Sequence, residues 1–187
     1  MDIEVLEGIL STYKISKPKL RGGEVENKSI PAMLTIFLNL IKDGIPSTQE
    51  EFISKFKSDY PDLKFRGVVS RLKRAYLSFI REYHLGFLLH KYFDDVVYDV
   101  KADILGVDYM IYYKGVKFNI HAFVDTEGGR YWRSIKNGRH NFKGEHIDLS
   151  INLSRGNRVG KFILYTDDHI LKLKSVMDSK IDEKNQR

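Results

Sequence analysis

The chain of 187 residues contains no cysteine. This absence excludes disulfide bonds, thiolate zinc sites and cysteine nucleophiles. No apolar run approaches the roughly 18 residues that cross a bilayer, and the acidic, mixed N-terminus lacks the pattern of a secretory signal peptide. We therefore expect a cytoplasmic protein without a membrane partner, in which a metal ion would be held by carboxylate, imidazole or amide groups.

Positive charge is in excess, with 31 Lys and Arg residues against 25 Asp and Glu residues. A basic balance favours a polyanionic partner such as nucleic acid, although such residues also serve only to solvate a surface. Hydrophobic residues make up 42% of the chain, which is enough for one core or for one core with a small added module. No P-loop or dinucleotide-binding glycine pattern is present.

The composition changes along the chain and predicts three parts. Residues 1–64 form an N-terminal helical region, in which residues 15–29 are a mobile arm because they combine proline, glycine and charge with little to bury. Residues 65–178 form the main core. Residues 179–187 are polar and are predicted to be a frayed tail.

Capping signals place two helices in the N-terminal region. Pro31 suits the first turn of a helix over residues 32–44. Ser47 with Glu50 three residues later has the spacing of a capping box, which predicts a second helix from about Thr48.

A third, longer helix is predicted from Phe65 into the high eighties, because apolar residues repeat there at intervals of three and four. Its other side carries a basic stripe that includes Arg66, Lys73 and Arg74. With the two helices before it, this segment is similar to a helix-turn-helix arrangement that could enter a nucleic-acid groove. The alternative is a helical bundle with an ordinary basic outer face.

Beyond residue 95 the apolar period changes from helical to alternating, which is typical of strands. Strands are expected over residues 107–113, 116–125, 146–153 and 161–167, and a last helix over residues 168–177. The prediction is an α/β (α+β) fold with N-terminal helices followed by a mixed β-sheet that is flanked by helices.

Two of these strands form a hairpin through a tight turn at Lys114-Gly115. This turn sets Asp108 opposite His121 on one face of the sheet, with Asn119 on the same face. A carboxylate, an imidazole and an amide could hold a divalent cation, or the carboxylate could orient the imidazole as a base. The alternative is a solvated Asp–His pair, because antiparallel sheets often leave one face in water.

The order of elements over residues 70 to 175 resembles the PD-(D/E)XK, or restriction-endonuclease-like, superfamily. That order is a helix, a short strand, a strand bearing Asp, a tight turn, a strand with polar residues two apart, a helix and another strand. In the superfamily the Asp and a Glu-x-Lys triplet hold Mg²⁺, and the Lys assists the attacking water. Asp108 takes the place of the Asp, Asn119-Ile120-His121 that of the triplet, and Glu82 that of a Glu often found on the first helix.

The resemblance implies a Mg²⁺ site formed by Asp108, Glu82 and Asn119, with His121 positioning or deprotonating the attacking water. One interpretation is a metal-dependent endonuclease acting on DNA or RNA, of the kind found in mobile-element or defence systems. Because the Glu-x-Lys triplet is replaced, the other is a non-catalytic nucleic-acid-binding or protein-interaction subunit. Either form could be a homodimer or could join a partner subunit.

A basic and aromatic segment follows the hairpin, with Arg130, Arg133, Lys136 and Arg139 flanking Trp132. Cationic side chains neutralise phosphates, and aromatic rings stack on bases. The segment is therefore predicted to bind nucleic acid. The alternative is a solvated helix whose aromatic residues lie in the core.

Overall fold

A computed structural model describes residues 1–17, 30–63, 67–136 and 142–186, and for Lys136 the backbone only. Most of the predicted mobile arm, Arg66 and Arg139 lie outside the described residues. The helices are α1 (Ile3–Ser11), α2 (Met33–Asn39), α3 (Gln49–Asp59), α4 (Val68–Tyr92), α5 (Val100–Ile104), α6 (Glu127–Lys136) and α7 (Asp167–Asn185). The strands are β1 (Val96–Val97), β2 (Tyr109–Tyr113), β3 (Val116–Val124), β4 (Glu145–Ile151), β5 (Asn157–Val159) and β6 (Phe162–Leu164).

This mixture of helix and sheet confirms the predicted fold class. Among the described residues, no helix combines the length and the apolar character needed to cross a membrane. The chain divides into two compact units, Met1–Tyr83 with Arg158–Phe162 and His84–Asn157 with Ile163–Arg187. The predicted boundary at residue 65 precedes the observed division, which falls inside the 25-residue helix α4.

Aromatic rings form the centre of the first unit. The ring of Phe37 on α2 lies 5.3 to 6.4 Å, between centroids, from those of Phe52 on α3 and of Tyr76, Phe79 and Tyr83 on α4. Three of these four contacts are T-shaped, an arrangement that the ring quadrupoles favour. The apolar repeat of α4 is therefore explained by packing against the two shorter helices.

The structure corrects the predicted ends of α2. The helix is shorter than the predicted 32–44, because Ala32 takes a left-handed conformation with a φ of 50° just before it. Beyond its C-terminal end, Asp43 and Gly44 have φ angles of 51° and 79° and turn the chain instead of continuing the helix.

The capping box of α3 lies one residue later than predicted. Thr48 Oγ1 accepts a hydrogen bond from the Glu51 N–H at 3.3 Å, and Glu51 Oε2 accepts one from the Thr48 N–H at 2.8 Å. Ser47 stays outside the helix, where its carbonyl accepts a hydrogen bond from the Tyr76 hydroxyl at 2.6 Å. The serine and threonine have similar capping ability, so the sequence pattern alone fitted either position.

The second unit contains a four-stranded sheet in the order β1-β2-β3-β4. β1, β2 and β3 are antiparallel neighbours, whereas β4 runs parallel to β3 after the crossover helix α6. The β2–β3 hairpin has the predicted register from Tyr113 opposite Val116 to Tyr109 opposite Ile120, but the ladder ends there and does not include the predicted pair of Asp108 with His121. The Asp108 carboxylate instead accepts from the Ala122 N–H. Lys114 and Gly115 have φ angles of 49° and 77°, which a tight hairpin turn of this twist requires.

One face of the hairpin packs against α4, as its apolar pattern predicts. Phe118 and Ile120 are fully buried on this face, where Tyr109 pairs with Ile120. Gly86 of α4 lies so close to Tyr109 that a Cβ atom at Gly86 would be 2.6 Å from the tyrosine hydroxyl. The absence of a side chain at Gly86 therefore lets the helix approach the sheet.

The C-terminal helix extends further than predicted. α7 runs to Asn185, so the expected end at residue 177 and the frayed tail are wrong. Ile181 is buried, and Lys180 and Lys184 bind the two carboxylate oxygens of Glu145 at 3.1 and 2.9 Å. These tertiary contacts stabilise the helical conformation of a polar segment that has few apolar residues of its own to bury.

Two adjacent glycines at the start of α6 should respond differently to alanine. A Cβ atom at Gly129 would lie 1.9 Å from the Val124 carbonyl oxygen, whereas nothing lies within 4 Å of one at Gly128. We expect Gly129→Ala to lower the free energy of unfolding by about 2 kcal/mol or more. Gly128→Ala should leave it unchanged or raise it by up to about 1 kcal/mol. Urea unfolding monitored by circular dichroism checks this, and equal midpoints for the two variants would contradict the packing of α6.

Candidate metal centre

Asp108 is fixed where β2 begins. Its backbone N–H donates to the Ile120 carbonyl at 2.9 Å, and its Oδ2 accepts from the Ala122 N–H at 2.6 Å. The Asp108 carboxylate thus accepts the Ala122 N–H, which a longer β2 would have bonded through its backbone. Asp108 is 7% exposed. A buried carboxylate held in one orientation by the backbone is positioned to act on a ligand.

Three carboxylates converge at this point. Glu82 on α4, Asp103 on α5 and Asp108 each offer an oxygen atom, and these atoms lie within 4.8 Å of one another. Glu82 is carried by the same unbroken helix as residues 84–92, and Asp103 Oδ2 accepts a hydrogen bond from the Tyr98 hydroxyl at 2.7 Å. Like charges this close favour a cation or a shared proton between them. Carboxylate oxygens are the ligands that Mg²⁺ and Ca²⁺ prefer, so this cluster could hold a metal ion.

The sheet face that carries Asn119 and His121 is not exposed to solvent, so the alternative of a solvated Asp–His pair is wrong for His121. Asn119 and His121 have exposed fractions of 0% and 1%. β3 pairs in parallel with β4, which sets Asn119 beside His146 and His121 beside Asp148. Both faces of β3 are therefore buried at this level of the sheet.

His121 is part of a buried chain of hydrogen bonds. Its Nδ1 lies 2.5 Å from the Gly106 carbonyl, and its Nε2 lies 2.8 Å from Nδ1 of His146, on which its ring stacks. Burial, with smaller contributions from Arg133 and His146, lowers the pKa of His121 to about 4, against the opposing effects of Gly106 and Asp148. A neutral His121 donates from Nδ1 to the carbonyl and accepts from His146 at Nε2.

Asn119, which was expected in the place of the superfamily's Glu, bonds within the protein. Its Nδ2 donates to the Lys143 carbonyl at 3.2 Å and lies 3.4 Å from His146 Nε2. Its Oδ1 is buried and has no hydrogen-bond partner among the described residues. The structure thus groups Asn119 and His121 around His146, while it groups Glu82 and Asp108 with Asp103.

Helix α6 contains the first part of the basic and aromatic segment, including Arg130, Trp132 and Arg133. Arg130 forms an ion pair with Asp125, and Arg133 Nε lies 2.6 Å from Asp148 Oδ1 with only 10% of the Arg133 side chain exposed. Tyr131 and Trp132 are exposed by 60% and 54%, so they do not lie in the core. Both arginines are therefore paired with carboxylates of the protein, and the two aromatic rings are exposed to solvent.

Two other predicted basic residues, Lys73 and Arg74, are less accessible than expected. Lys73 and Arg74 on α4 are each half-buried rather than solvated. The side chain of Lys136 and all of Arg139 lie beyond the part of the chain that is described.

Asp103 and His146 are site residues that the sequence prediction missed. Asp103 lies on helix α5, whose five residues are too few to show a periodic apolar pattern. His146 lies on a predicted strand, but its place beside Asn119 depends on the parallel register of β3 and β4. Because α6 and the chain after it separate β4 from the hairpin in sequence, that register could not be predicted from the sequence pattern.

Comparison of the chain with protein-family models, curated proteins and solved structures found no match.

Acid should destabilise the fold through His121. The unfolded chain protonates this histidine near pH 6.5, whereas the folded chain keeps it neutral down to about pH 4. The stability that His121 contributes is thus complete above about pH 6.5 and is lost as the pH falls from about 6.5 to about 4. We expect about 2 kcal/mol less stability near pH 5 than near pH 7 from this group.

Urea unfolding at the two pH values, with His121→Asn compared with wild type, checks this expectation. Burial also lowers the pKa of His169, which acts in the same direction, so only the difference between the two proteins isolates His121. His90→Asn, at an exposed position on α4, is the matched control. An equal loss of stability in wild type and His121→Asn would contradict the assignment.

Proposed function

We propose that the chain is a divergent member of the restriction-endonuclease-like superfamily that binds nucleic acid and hydrolyses phosphodiester bonds with a divalent cation, Mg²⁺ in the first instance. The observation that carries the proposal is the convergence of Glu82, Asp103 and Asp108. Metal ligands from three separate segments, one buried and two partly buried, are costly to assemble without a ligand that offsets their repulsion.

The order of elements supports the family part of the proposal. α4, β1, β2, β3, α6 and β4 follow one another as the resemblance requires, with β3 parallel to β4 and with α5 inserted before β2. Asp108 lies at the start of the second strand, which is the place of the superfamily's Asp. Fold order alone does not carry an activity, so the chemistry depends on the site.

The residues have separate roles in this proposal. Glu82, Asp103 and Asp108 would hold the cation, with Asp108 kept in place by the Ala122 N–H and Asp103 by the Tyr98 hydroxyl. A bound divalent cation supplies a Lewis acid for a phosphate oxygen and lowers the pKa of a bound water. His121 has a low pKa, and its Nε2 accepts from His146, so we assign it a positioning role rather than that of a base.

Nucleic acid would contact the protein at α6. The Arg130 side chain is 61% exposed despite its ion pair with Asp125. The next two residues, Tyr131 and Trp132, are also exposed, and their rings make a T-shaped contact with each other. Exposed rings next to a cation suit base stacking with a phosphate contact.

A second candidate function is nucleic-acid binding without cleavage. The specific observation in its favour is that Asn119 and His121, which replace the catalytic triplet, bond to groups inside the protein. No lysine stands at the triplet, so the group that assists the attacking water in the superfamily is missing.

Metal binding and cleavage should both depend on Asp108. We expect Mn²⁺ to bind with one strong site per chain, measured by titration calorimetry, and Asp108→Asn and Asp103→Asn each to weaken it about tenfold or more because a charged ligand is lost. Asn can still accept the Ala122 N–H, so Asp108→Asn should fold. Asp62→Asn, at an exposed position, is the control.

The same proteins are then mixed with labelled single- and double-stranded DNA and RNA in Mg²⁺ or Mn²⁺. Cleavage that Asp108→Asn abolishes and Asp62→Asn retains supports the nuclease. Salt-dependent binding without cleavage, reported by the fluorescence of Trp132 as the chain's single tryptophan, supports the second candidate. Absence of both metal binding and nucleic-acid binding would contradict both functions.

A further inference from the structure

Within the part of the chain that the structure describes, strand β4 ends the sheet and leaves one backbone edge facing outward. The Asp125 N–H donates to the Ile151 carbonyl at 2.8 Å, so Ile151 directs its backbone groups toward β3. Because backbone direction alternates along a strand, Asp148 and Ser150 direct their N–H and C=O groups away from β3. Exposed edges are usually protected by proline, by lysine or by a bulge, yet the seven residues of β4 include neither proline nor lysine.

A cleft of about 400 Å³ lies along this edge. Four consecutive residues of β4, 147–150, form one wall, which shows that the cleft follows the strand. The other wall is one face of α7, whose lining residues Thr166, His169, Leu173 and Val176 are spaced by three and four. The cleft therefore has the two walls of a peptide groove, an open strand edge and a helix.

The cleft combines an apolar lining with polar groups. Ile147, Leu149 and Leu173 are buried side chains that line it, and Val176 adds an apolar surface that is 44% exposed. This lining suits alternate side chains of an extended segment, which point to opposite sides of the chain.

Charge indicates what kind of segment fits. Two of the lining carboxylates, Asp125 and Asp148, are already paired with arginines of α6. Arg155 and Lys172 also line the cleft, and among the described residues neither has an ion-pair partner. Asp168 is the one remaining lining carboxylate, so the charges left to a ligand are mainly positive.

We propose that this cleft binds an extended, acidic segment of a partner protein as an added strand beside β4. The segment would exchange backbone hydrogen bonds with Asp148 and Ser150, and its carboxylates would meet Arg155 and Lys172. This interaction stands independently of the proposed nuclease site, because none of the three clustered carboxylates lines the cleft.

The probe is a displayed library of random nine-residue peptides, selected on the full-length protein and then synthesised for fluorescence polarisation. We expect recovered peptides to be rich in Asp and Glu. Ser150→Pro removes the outward N–H at a position where an edge strand tolerates proline, and it should weaken binding about tenfold or more. Ser150→Ala, which keeps that N–H, should bind as wild type. Lys172→Ala should also weaken binding, whereas Lys14→Ala should not.

Hydrogen exchange provides a readout on wild type that does not depend on how Ser150→Pro folds. Bound peptide should slow exchange of the Asp148 and Ser150 amides, and amides of β2 should keep their rates. The proposal is overturned if no peptide is recovered or if Ser150→Pro and Ser150→Ala bind equally. It is also overturned if the protein alone is a dimer that Ser150→Pro dissociates, because a second copy would then occupy the edge.

Discussion

The two-residue turn at Lys114-Gly115 is the constraint on which the second unit depends. Both residues take positive φ, so the turn admits one register for β2 and β3, and a shift by one residue would exchange the two faces. That register places Phe118 and Ile120 against α4 and turns Asn119 and His121 to the opposite face. β2 begins only at Tyr109, and Asp108 just before it satisfies the Ala122 N–H with its side chain.

Two electrostatic environments result from this arrangement. One groups three carboxylates, Glu82, Asp103 and Asp108, whose mutual repulsion favours a cation. The other groups His121 with His146 and Arg133, where burial is the main cause that lowers the pKa of His121 to about 4. The first environment could hold a metal ion. In the second, Asn119 and His121 form internal hydrogen bonds, which is why binding without cleavage stays a second candidate.

Local features were predictable from the sequence, and features set by distant contacts were not. The hairpin register follows from a turn and alternating residues, and the class of fold follows from the change of period near residue 95. The pairing of His146 with Asn119 needs the alignment of β4 after a crossover, and Asp103 enters the site only through tertiary placement of α5. The tail of α7 is ordered by Glu145, which no nearby sequence signal reveals.

The central claim is that three carboxylates form a metal centre. A crystal structure with Mn²⁺ and its anomalous signal tests it most directly. The account predicts one strong peak about 2.0 to 2.3 Å from a carboxylate oxygen of Glu82, Asp103 and Asp108. A peak confined to His121 and His146, or no peak at saturating Mn²⁺, would contradict it.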